Sequence, residues 1–466
     1  MCGRTNDRAF AAARHPQGYI DTSYRDRMVT ALYARAEAIA SRVVKKNASG
    51  FFALEERLDA IVTSRVWGYP IMLALLAFVF WLTLKGANYP SGILANLFFA
   101  FQDVLSAFFY HLGAPDWLHG IVVAGMYRTL AWVVAVMLPP MAIFFPLFTL
   151  LEDLGYLPRI AFNLDSFFKK AGAHGKQALT MCMGFGCNAA GVVGCRIIDS
   201  PRERLLAVLT NNFSPCNGRF PTLIALSGIF MGGFLTTWSG TMLAVLTVTA
   251  IIGVGILLMF FTTWFLSRTV LKGEPSFFIL ELPPYRPPQV LRVIVRSLLD
   301  RTIYVLARAV LVAAPAGAFT WVLANLRLSE GTIIDHLACI FQPIGKMMGL
   351  DGYILLAFIL GLPANEIVLP ILLMSYLSAG MLMEVDGLRA LGEILMDKGW
   401  TLVTAINFML FSLLHWPCGT TLLTIYKETK NWKWPLLAAA VPTVIGFALC
   451  FLVKLLAGLM GIMAAG

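Results

Sequence analysis

Charge is scarce in this sequence. Of its 466 residues only 13% are Asp, Glu, Lys or Arg, against 58% hydrophobic, and the mean hydropathy is +0.75. A soluble domain carries about twice that share of charge, so a water-soluble enzyme or binding module is excluded. Nucleotide-binding signatures are lacking too. No GxxxxGK[ST] string occurs, and the nearest, GAHGKQ at 172–177, has neither the spacing nor the Ser/Thr that would hold Mg²⁺. No nucleotide site is expected on this chain. HExxH and GxSxG are absent as well, which removes the commonest metallohydrolase and serine-hydrolase arrangements and argues against an enzyme. Eight cysteines are too few and too scattered for a disulfide framework; Cys182, Cys187, Cys195, Cys216 and Cys418 lie in or beside apolar segments and read as thiols. Residues 1–66 hold no short apolar stretch followed by a small-residue cleavage site, so no signal peptide is expected and this polar, basic segment should stay in the cytoplasm.

What is abundant is apolar sequence in runs of about 20 residues, the length that crosses a bilayer as a helix. Strict ten-residue alternation, the mark of a membrane barrel, is missing. The net charge of +10 sits in the joints between apolar runs and not in one continuous patch, which fits membrane topology and gives no reason to expect nucleic acid.

Along the chain, 23–46 reads as an amphipathic cytoplasmic helix with Met28, Leu32, Ala36, Ile39 and Val43 on one stripe. Residues 67–84 form the first convincing span, and 92–110 a second apolar segment interrupted by Gln102 and Asp103. A span at 129–151 carries Pro139, Pro140 and Pro146, which predict a bend or break. From 178 to 235, and again at 353–383 and 400–426, apolar pieces too short to cross alternate with Gly, Pro and Asn. Clean spans are expected at 240–266, 303–325 and 434–460. The joint at 268–301, with Arg268, Lys272, Arg286, Arg292, Arg296 and Arg301, fits a cytoplasmic loop. The division is therefore an N-terminal tail and linker (1–66), a first membrane half (67–267), the loop (268–301) and a second half (302–466).

The two halves share an order of interruptions. GFGCN (184–188) is followed by PCNGR (215–219), and GLPANE (361–366) by PCGTT (417–421). Each half thus has a Gly-opened break, at Gly184 and Gly186 or at Gly361, and then a Pro-Cys break. Paired repeats whose broken helices meet at mid-membrane are how many transporters build a substrate site. Beside the breaks lie Cys187, Asn188, Cys216, Asn217, Asn365, Glu366, His415 and Cys418. Soft sulfur mixed with harder nitrogen and oxygen suits a borderline divalent transition metal, since Mg²⁺ or Ca²⁺ would take oxygen alone. Glu366 is the most informative, because an ionisable side chain at mid-membrane faces a cavity, a partner or a cation. The partner reading would pair it with Arg219, itself read as structural because a fixed positive charge repels cations. Cys182, Cys195, Met181 and Met183 read as packing, and His111, His119, His174 and His336 carry no usable signal.

Several strings together resemble the membrane region of the Feo-type ferrous iron transporter B family: LLEDLGYLPR (150–159), MGFGCN (183–188), SPRERLLAVL (200–209), PCNGRFP (215–221), ELPPYRPP (281–288) and PCGTTLLTIYKETKNWKW (417–434). Two departures stand out: the first motif lacks the proline that more often follows its asparagine, and no basic residue precedes Glu366. The resemblance implies an all-α, polytopic integral membrane protein with about eight crossings and two gate-like repeats of broken helices. It would import Fe²⁺ as its transported substrate through a bacterial inner membrane, N-terminus in the cytoplasm. Cys187, Asn188, Cys216, Glu366 and Cys418 would meet the metal, with Asn217, Asn365 and His415 as further contacts. It also implies a GTP-binding domain ahead of the linker; only a linker-like segment, 23–66, is recognisable, so that domain would be a separate polypeptide, be absent from this sequence, or be dispensed with. Membrane lipid, small cytoplasmic Feo-type accessory proteins and a homo-oligomer are the partners to consider. The competing readings are a nucleoside or other small-solute carrier of the same repeat type, and a metal-sensing membrane subunit.

Overall fold

The computed structural model describes residues 22–43, 57–64, 66–233, 238–273, 289–328, 331–383, 385 and 387–459. The chain divides into two compact units, Met1–Leu58 and Asp59–Gly466. In the first, α1 (Thr22–Val43) is the helix expected at 23–46, and the stripe of Met28, Leu32, Ile39 and Val43 is exposed along it. Residues 44–46 of that expected helix, and the 274–288 part of the basic loop with Arg286, lie outside the described residues.

The second unit is built from two runs of the same elements. The first begins with α2 (Gly68–His111) and α3 (Arg128–Asp153), the latter entered through Asp116–His119 and a π-helical stretch, Gly120–Tyr127. The amphipathic α4 (Tyr156–Lys170) follows, then a hairpin of α5 (Gln177–Gly186) and α6 (Asn188–Gly194). A broken span comes next, α7 (Pro201–Thr210) and α8 (Phe220–Phe230), and a full one, α9 (Trp238–Arg268). The second run has the span α10 (Tyr304–Asn325), the amphipathic α11 (Ile333–Met348) and a hairpin of α12 (Gly352–Leu360) and α13 (Val368–Leu377). After an additional helix, α14 (Leu388–Asp397), come the broken span α15 (Leu402–Leu414) and α16 (Gly419–Thr429) and the full span α17 (Lys433–Leu459).

Three expectations change. The apolar segments 67–84 and 92–110 are one helix, α2, which runs through the polar KGANYPSG stretch and Pro90. Proline removes only one backbone donor, and Gly86 lets α2 approach Ile143 of α3 there, so packing carries the helix across. Likewise α3 is continuous through Pro139, Pro140 and Pro146, all buried against neighbouring helices. A membrane helix tolerates proline where neighbours cover the freed carbonyls. Among the described residues six helices are long and apolar enough to cross a membrane, or seven if α11 and α12, which meet at 108°, count as one; about eight were expected. The helical stretch Val290–Arg296, continued by Ser297–Ile303, also replaces the last part of the expected loop and leads directly into α10.

Local chemistry sets the punctuation. Ser200 accepts from the Glu203 amide with Pro201 in the first turn, a strong start for α7. Thr332 and Asp335 form a reciprocal capping box for α11. Both hairpins fold back on themselves: Gly194 at the end of α6 lies beside Thr180 and Met183 of α5, and Tyr376 at the end of α13 hydrogen-bonds Asp351 before α12.

The hairpins enter from opposite ends. At one end Arg202 donates to the carbonyls of Leu271 (2.5 Å) and Ser267 (3.2 Å), Lys176 pairs with Asp199 (2.9 Å), and Arg196 pairs with Glu428. This gathers the start of α7 and the ends of α6, α9 and α16. At the other end Arg128 donates to Leu382 O (2.8 Å), Asn325 to Gly380 O (2.7 Å), and Trp400 to the Tyr376 hydroxyl (3.0 Å). That gathers the starts of α3 and α15 with the ends of α10 and α13. The first end is much the more basic, holding Lys169, Lys170, Arg204, Lys427, Lys430 and Lys433 besides the residues just named. The core between them is dense, with Leu223, Phe358, Leu372, Phe408 and Leu413 fully enclosed.

The inverted arrangement has a direct check. In a background with Cys2 and Cys339 replaced by serine, Lys398→Cys and Asn431→Cys should react with an impermeant maleimide from opposite faces of oriented, sealed vesicles. Labelling of both from one face would refute it.

Candidate functional site

Each break is built around a residue in extended conformation that starts a new half-helix. Cys187 (φ −155°, ψ 123°) precedes α6, and Ala364 (φ −153°, ψ 128°) precedes the short helix Asn365–Ile367 leading into α13. Cys216 (φ −80°, ψ 166°) precedes Asn217–Arg219 and α8, and Cys418 (φ −59°, ψ 156°) precedes α16. The residue before proline is pushed to extended backbone, which is why Ser214 leaves the helix (φ −81°, ψ 120°) ahead of Pro215. At the hairpin tip the reason is room: a Cβ on Gly186 would sit inside the Phe144 ring.

The breaks of the two halves interlock. The Gly419 amide donates to Leu362 O at 2.7 Å, joining the second Pro-Cys break to the second hairpin. Asn365 Nδ2 donates to Cys216 Sγ at 3.7 Å across the two halves. Gly218 lies so close to the Glu366 carboxylate that any side chain there would collide with it. Cys418 Sγ is 3.2 Å from Thr421 Oγ1, and α6, headed by Cys187, packs on α16. The four ionisable side chains therefore stand at the interlocked breaks, Glu366 and Cys216 joined through Gly218 and Asn365, and Cys418 and Cys187 through the packing of α16 and α6. They do not form a ready cage: no three His, Cys, Asp or Glu side chains among the described residues stand at metal-holding distances.

Broken helices leave carbonyls without partners, and in a membrane each must find one. Arg219, 1% exposed, donates through Nη1 to Leu413 O (2.8 Å) and Asn212 O (3.1 Å), and through Nη2 to Asn212 Oδ1 (3.2 Å). Asn212 Nδ2 in turn donates to His415 O at 2.8 Å. The end of α15 is thus held by two side chains from the other half. Asn188 plays the same part at the first hairpin: with its amide turned to suit its neighbours, Nδ2 reaches Gly184 O (3.1 Å) and Ser214 O (3.2 Å). His415 is enclosed, its Nδ1 on Ser412 O (2.8 Å) and its Nε2 3.2 Å from Asn365 Oδ1.

Of the residues singled out by sequence, Cys187, Cys216, Cys418, Asn365 and Glu366 therefore meet in one region. Asn188 and His415 are tied into the scaffold around it. Asn217, half-buried, borders a narrow gap with Gly186 and Phe144. Cys182 and Cys195 are packing residues in separate apolar clusters. Glu366 and Arg219 form no ion pair at contact distance among the described residues, although their charges act on each other; the terminal nitrogens of Arg219 go to Leu413 O, Asn212 O and Asn212 Oδ1. Sequence reasoning missed Asn212, Gly218 and Thr421. The PCNGR string held a clue to Gly218, a glycine directly after a break, but only the approach of Glu366 gives it meaning.

Two cavities flank this region. One, about 340 Å³, opens at the less basic end; Glu366, Gly218, Thr222 and Pro370 line it together with Trp132 and Val136 of α3. The other, about 420 Å³, lies at the basic end between Met183, Val193, Arg308 and the Arg196–Glu428 pair, with Glu152 at the end of α3. Gly218 and Glu366, near Cys216, border the first, and Ala190 and Val193 of α6, headed by Cys187, border the second.

Comparison with known proteins agrees with this architecture. Residues 134–230 match the family described as "Gate: Nucleoside recognition", and 248–301 match "Ferrous iron transport protein B C terminus". The Fe(2+) transporter FeoB of Staphylococcus aureus (strain COL) is 28% identical over 408 residues, 85% of this chain and 58% of that protein. The one from Methanocaldococcus jannaschii is 26% identical over 443 residues, 92% of this chain and 62% of its own. That of Synechocystis sp. is 28% identical over 427 residues, 90% and 66%. The chain thus resembles the FeoB-type membrane region over most of its length, and spans 58% of the length of the staphylococcal relative. No solved structure matches.

Arg219→Met should leave two buried carbonyls unpaired at about 1–3 kcal/mol each, seen as a clear loss of thermal stability in detergent. Arg219→Lys should recover part of it, and Lys430→Met at the surface should change nothing. Equal stability of Arg219→Met and wild type would remove the clasp role.

Proposed function

We propose that this chain moves ferrous iron across a bacterial inner membrane into the cytoplasm, with its basic end and N-terminus on the cytoplasmic side. The orientation follows the excess of Lys and Arg at that end. The observation that carries the reading is the gathering of donors, Glu366, Cys216, Cys418 and Cys187, at the interlocked breaks, with Glu366 on one cavity and α6, headed by Cys187, on the other. The relatives named as Fe(2+) transporters supply the identity of the ion.

The steps follow from the donors. Glu366 stands half-buried on the outer cavity, its carboxylate making no hydrogen bond to another side chain among the described residues, and draws a hydrated dication in. Asn365 and Cys216 replace part of its water shell, and the thiol releases its proton to the cavity water as the ion binds, since a metal takes thiolate. The ion passes to Cys418 and Cys187, and is freed at the inner cavity when the hairpins shift. Few donors at each point keep binding weak enough for release. Opening from opposite ends suits alternating access, because movement of one hairpin can unseal one side while the other stays closed. A GTP-binding domain and small accessory proteins of the Feo type, if they act on this chain, would meet its cytoplasmic end.

A nucleoside or other small-solute carrier is the second reading. It is favoured by the family match over 134–230 and by the amides of Asn217 and Asn365 at the breaks. Anaerobic Fe²⁺ binding to the purified chain in detergent separates the two. Binding that survives excess uridine and is lost in Cys216→Ser/Cys418→Ser supports the metal route. Displacement by uridine, or no metal binding, turns the reading to the solute carrier.

In proteoliposomes, Glu366→Gln and Cys216→Ser should each lower Fe²⁺ flux by at least about tenfold, the scale on which lost charge or ligation at a metal site acts, while elution in gel filtration stays that of wild type. Unchanged flux in both would end the proposal.

A further inference from the structure

The torsions of the four breaks fall into two pairs. Cys187 and Ala364 differ by 2° in φ and 5° in ψ, and each stands at the tip of a hairpin one residue before an asparagine. Cys216 and Cys418 share the second conformation, each following a proline. The inverted order of the elements relates the same pairs. The hairpin tip of one half lies against the Pro-Cys break of the other: α6, headed by Cys187, packs on α16, headed by Cys418, and Asn365, next to Ala364, hydrogen-bonds Cys216. Position 364 is therefore to Cys216 what position 187 is to Cys418.

The two half-sites are not alike in chemistry. The inner one brings two sulfurs, from Cys187 and Cys418, with the Thr421 hydroxyl beside them. The outer one brings one sulfur, from Cys216, with the amide of Asn365 and the carboxylate of Glu366 against Gly218. Where a fourth thiol would complete the symmetry there is a methyl group, buried to 3% exposure.

We propose that Ala364 is a specificity-determining residue: by withholding the fourth sulfur it makes the outer half-site hard and leaves the inner one soft, so that a borderline divalent metal is admitted over a strongly thiophilic one. The inference rests on the transport reading. Hard donors favour Mn²⁺ and similar ions, thiolates favour Zn²⁺ and Cd²⁺, and Fe²⁺ lies between. An outer site with one thiol holds a borderline ion without trapping a soft one. A strongly thiophilic ion meets its preferred donors only after the hard site, where it competes poorly. Two thiols at the entrance would reverse that order and hold the soft ion at the mouth.

The experiment is equilibrium binding of Fe²⁺ to the purified full chain in detergent under anaerobic conditions, with Cd²⁺ and Mn²⁺ as competitors. Alkylation of the thiols by maleimide, with and without Cd²⁺, gives an independent readout. Ala364→Cys should raise the Cd²⁺ over Mn²⁺ preference by at least about tenfold, with the new thiol and Cys216 protected together by Cd²⁺. Ala364→Ser, which adds similar bulk without sulfur, should leave the preference within about twofold of wild type. Cys187→Ala should lower the preference by a similar factor, and keeps the test open if the larger side chain at 364 is not accommodated. Unchanged preference in Ala364→Cys that still binds Fe²⁺, or in Cys187→Ala, overturns the inference, as does an equal rise in Ala364→Ser. Wild-type chain that binds no metal at all overturns the transport reading itself, and is read before any variant.

Discussion

A membrane interior offers no water to an unpaired backbone group, and this chain interrupts four helices inside it. Everything at the centre follows from that constraint. Each break exposes carbonyls and amides whose desolvation costs several kcal/mol if nothing meets them. Arg219 and Asn212 meet the end of α15, Asn188 meets Gly184 and Ser214, and Gly419 meets Leu362. Because most of these partners come from a different break, the interruptions hold each other. An isolated half would leave the end of α15 unsatisfied, so the two halves are energetically one object although the sequence presents them in series.

The same interlock explains how a membrane site can be both firm and poor in ligands. Amides and the guanidinium carry most of the structural work, with Cys216 and Cys418 each making one side-chain contact, to Asn365 and Thr421. Arg219 illustrates the division. On the proposed cation route a positive charge would be a liability, but Arg219 is enclosed and its two terminal nitrogens spend their donors on oxygens of Leu413 and Asn212. Glu366 has the opposite setting: it is half-buried, borders a cavity and is pressed against a glycine, so its carboxylate stays available. The second hairpin is tied at its base by Tyr376 to Asp351.

Much of this was legible along the chain, and the failures have physical causes. The broken segments were readable because Gly and Pro within apolar sequence have no purpose in a simple span. The continuity of α2 and α3 was not, since it depends on Gly86 approaching Ile143 and on neighbours covering the prolines, and contacts between distant segments leave no local trace. The pairing of Glu366 with Arg219 looked reasonable from charge alone. The two charges act on each other without reaching contact distance, since the Leu413 carbonyl of α15, almost 200 residues from Arg219, and Asn212 take the terminal nitrogens of the guanidinium. Asn188 and His415 stood out for their chemistry, and the fold uses that chemistry for support.

The sequence by itself determined the class of the protein and marked the four breaks at its centre, because hydropathy, glycine and proline act within a few residues of where they stand. It also set the kinds of donor at each stop, including alanine where the symmetric position has cysteine. Which stop faces which was decided only by the tertiary structure. The pairing of Cys187 with Cys418 and of Asn365 with Cys216, the exposure of Glu366 to a cavity and the burial of Arg219 away from it all arise from two inverted halves closing on each other. The driving force is the need to satisfy backbone groups in a medium without water, and that need can be met only by partners distant in sequence.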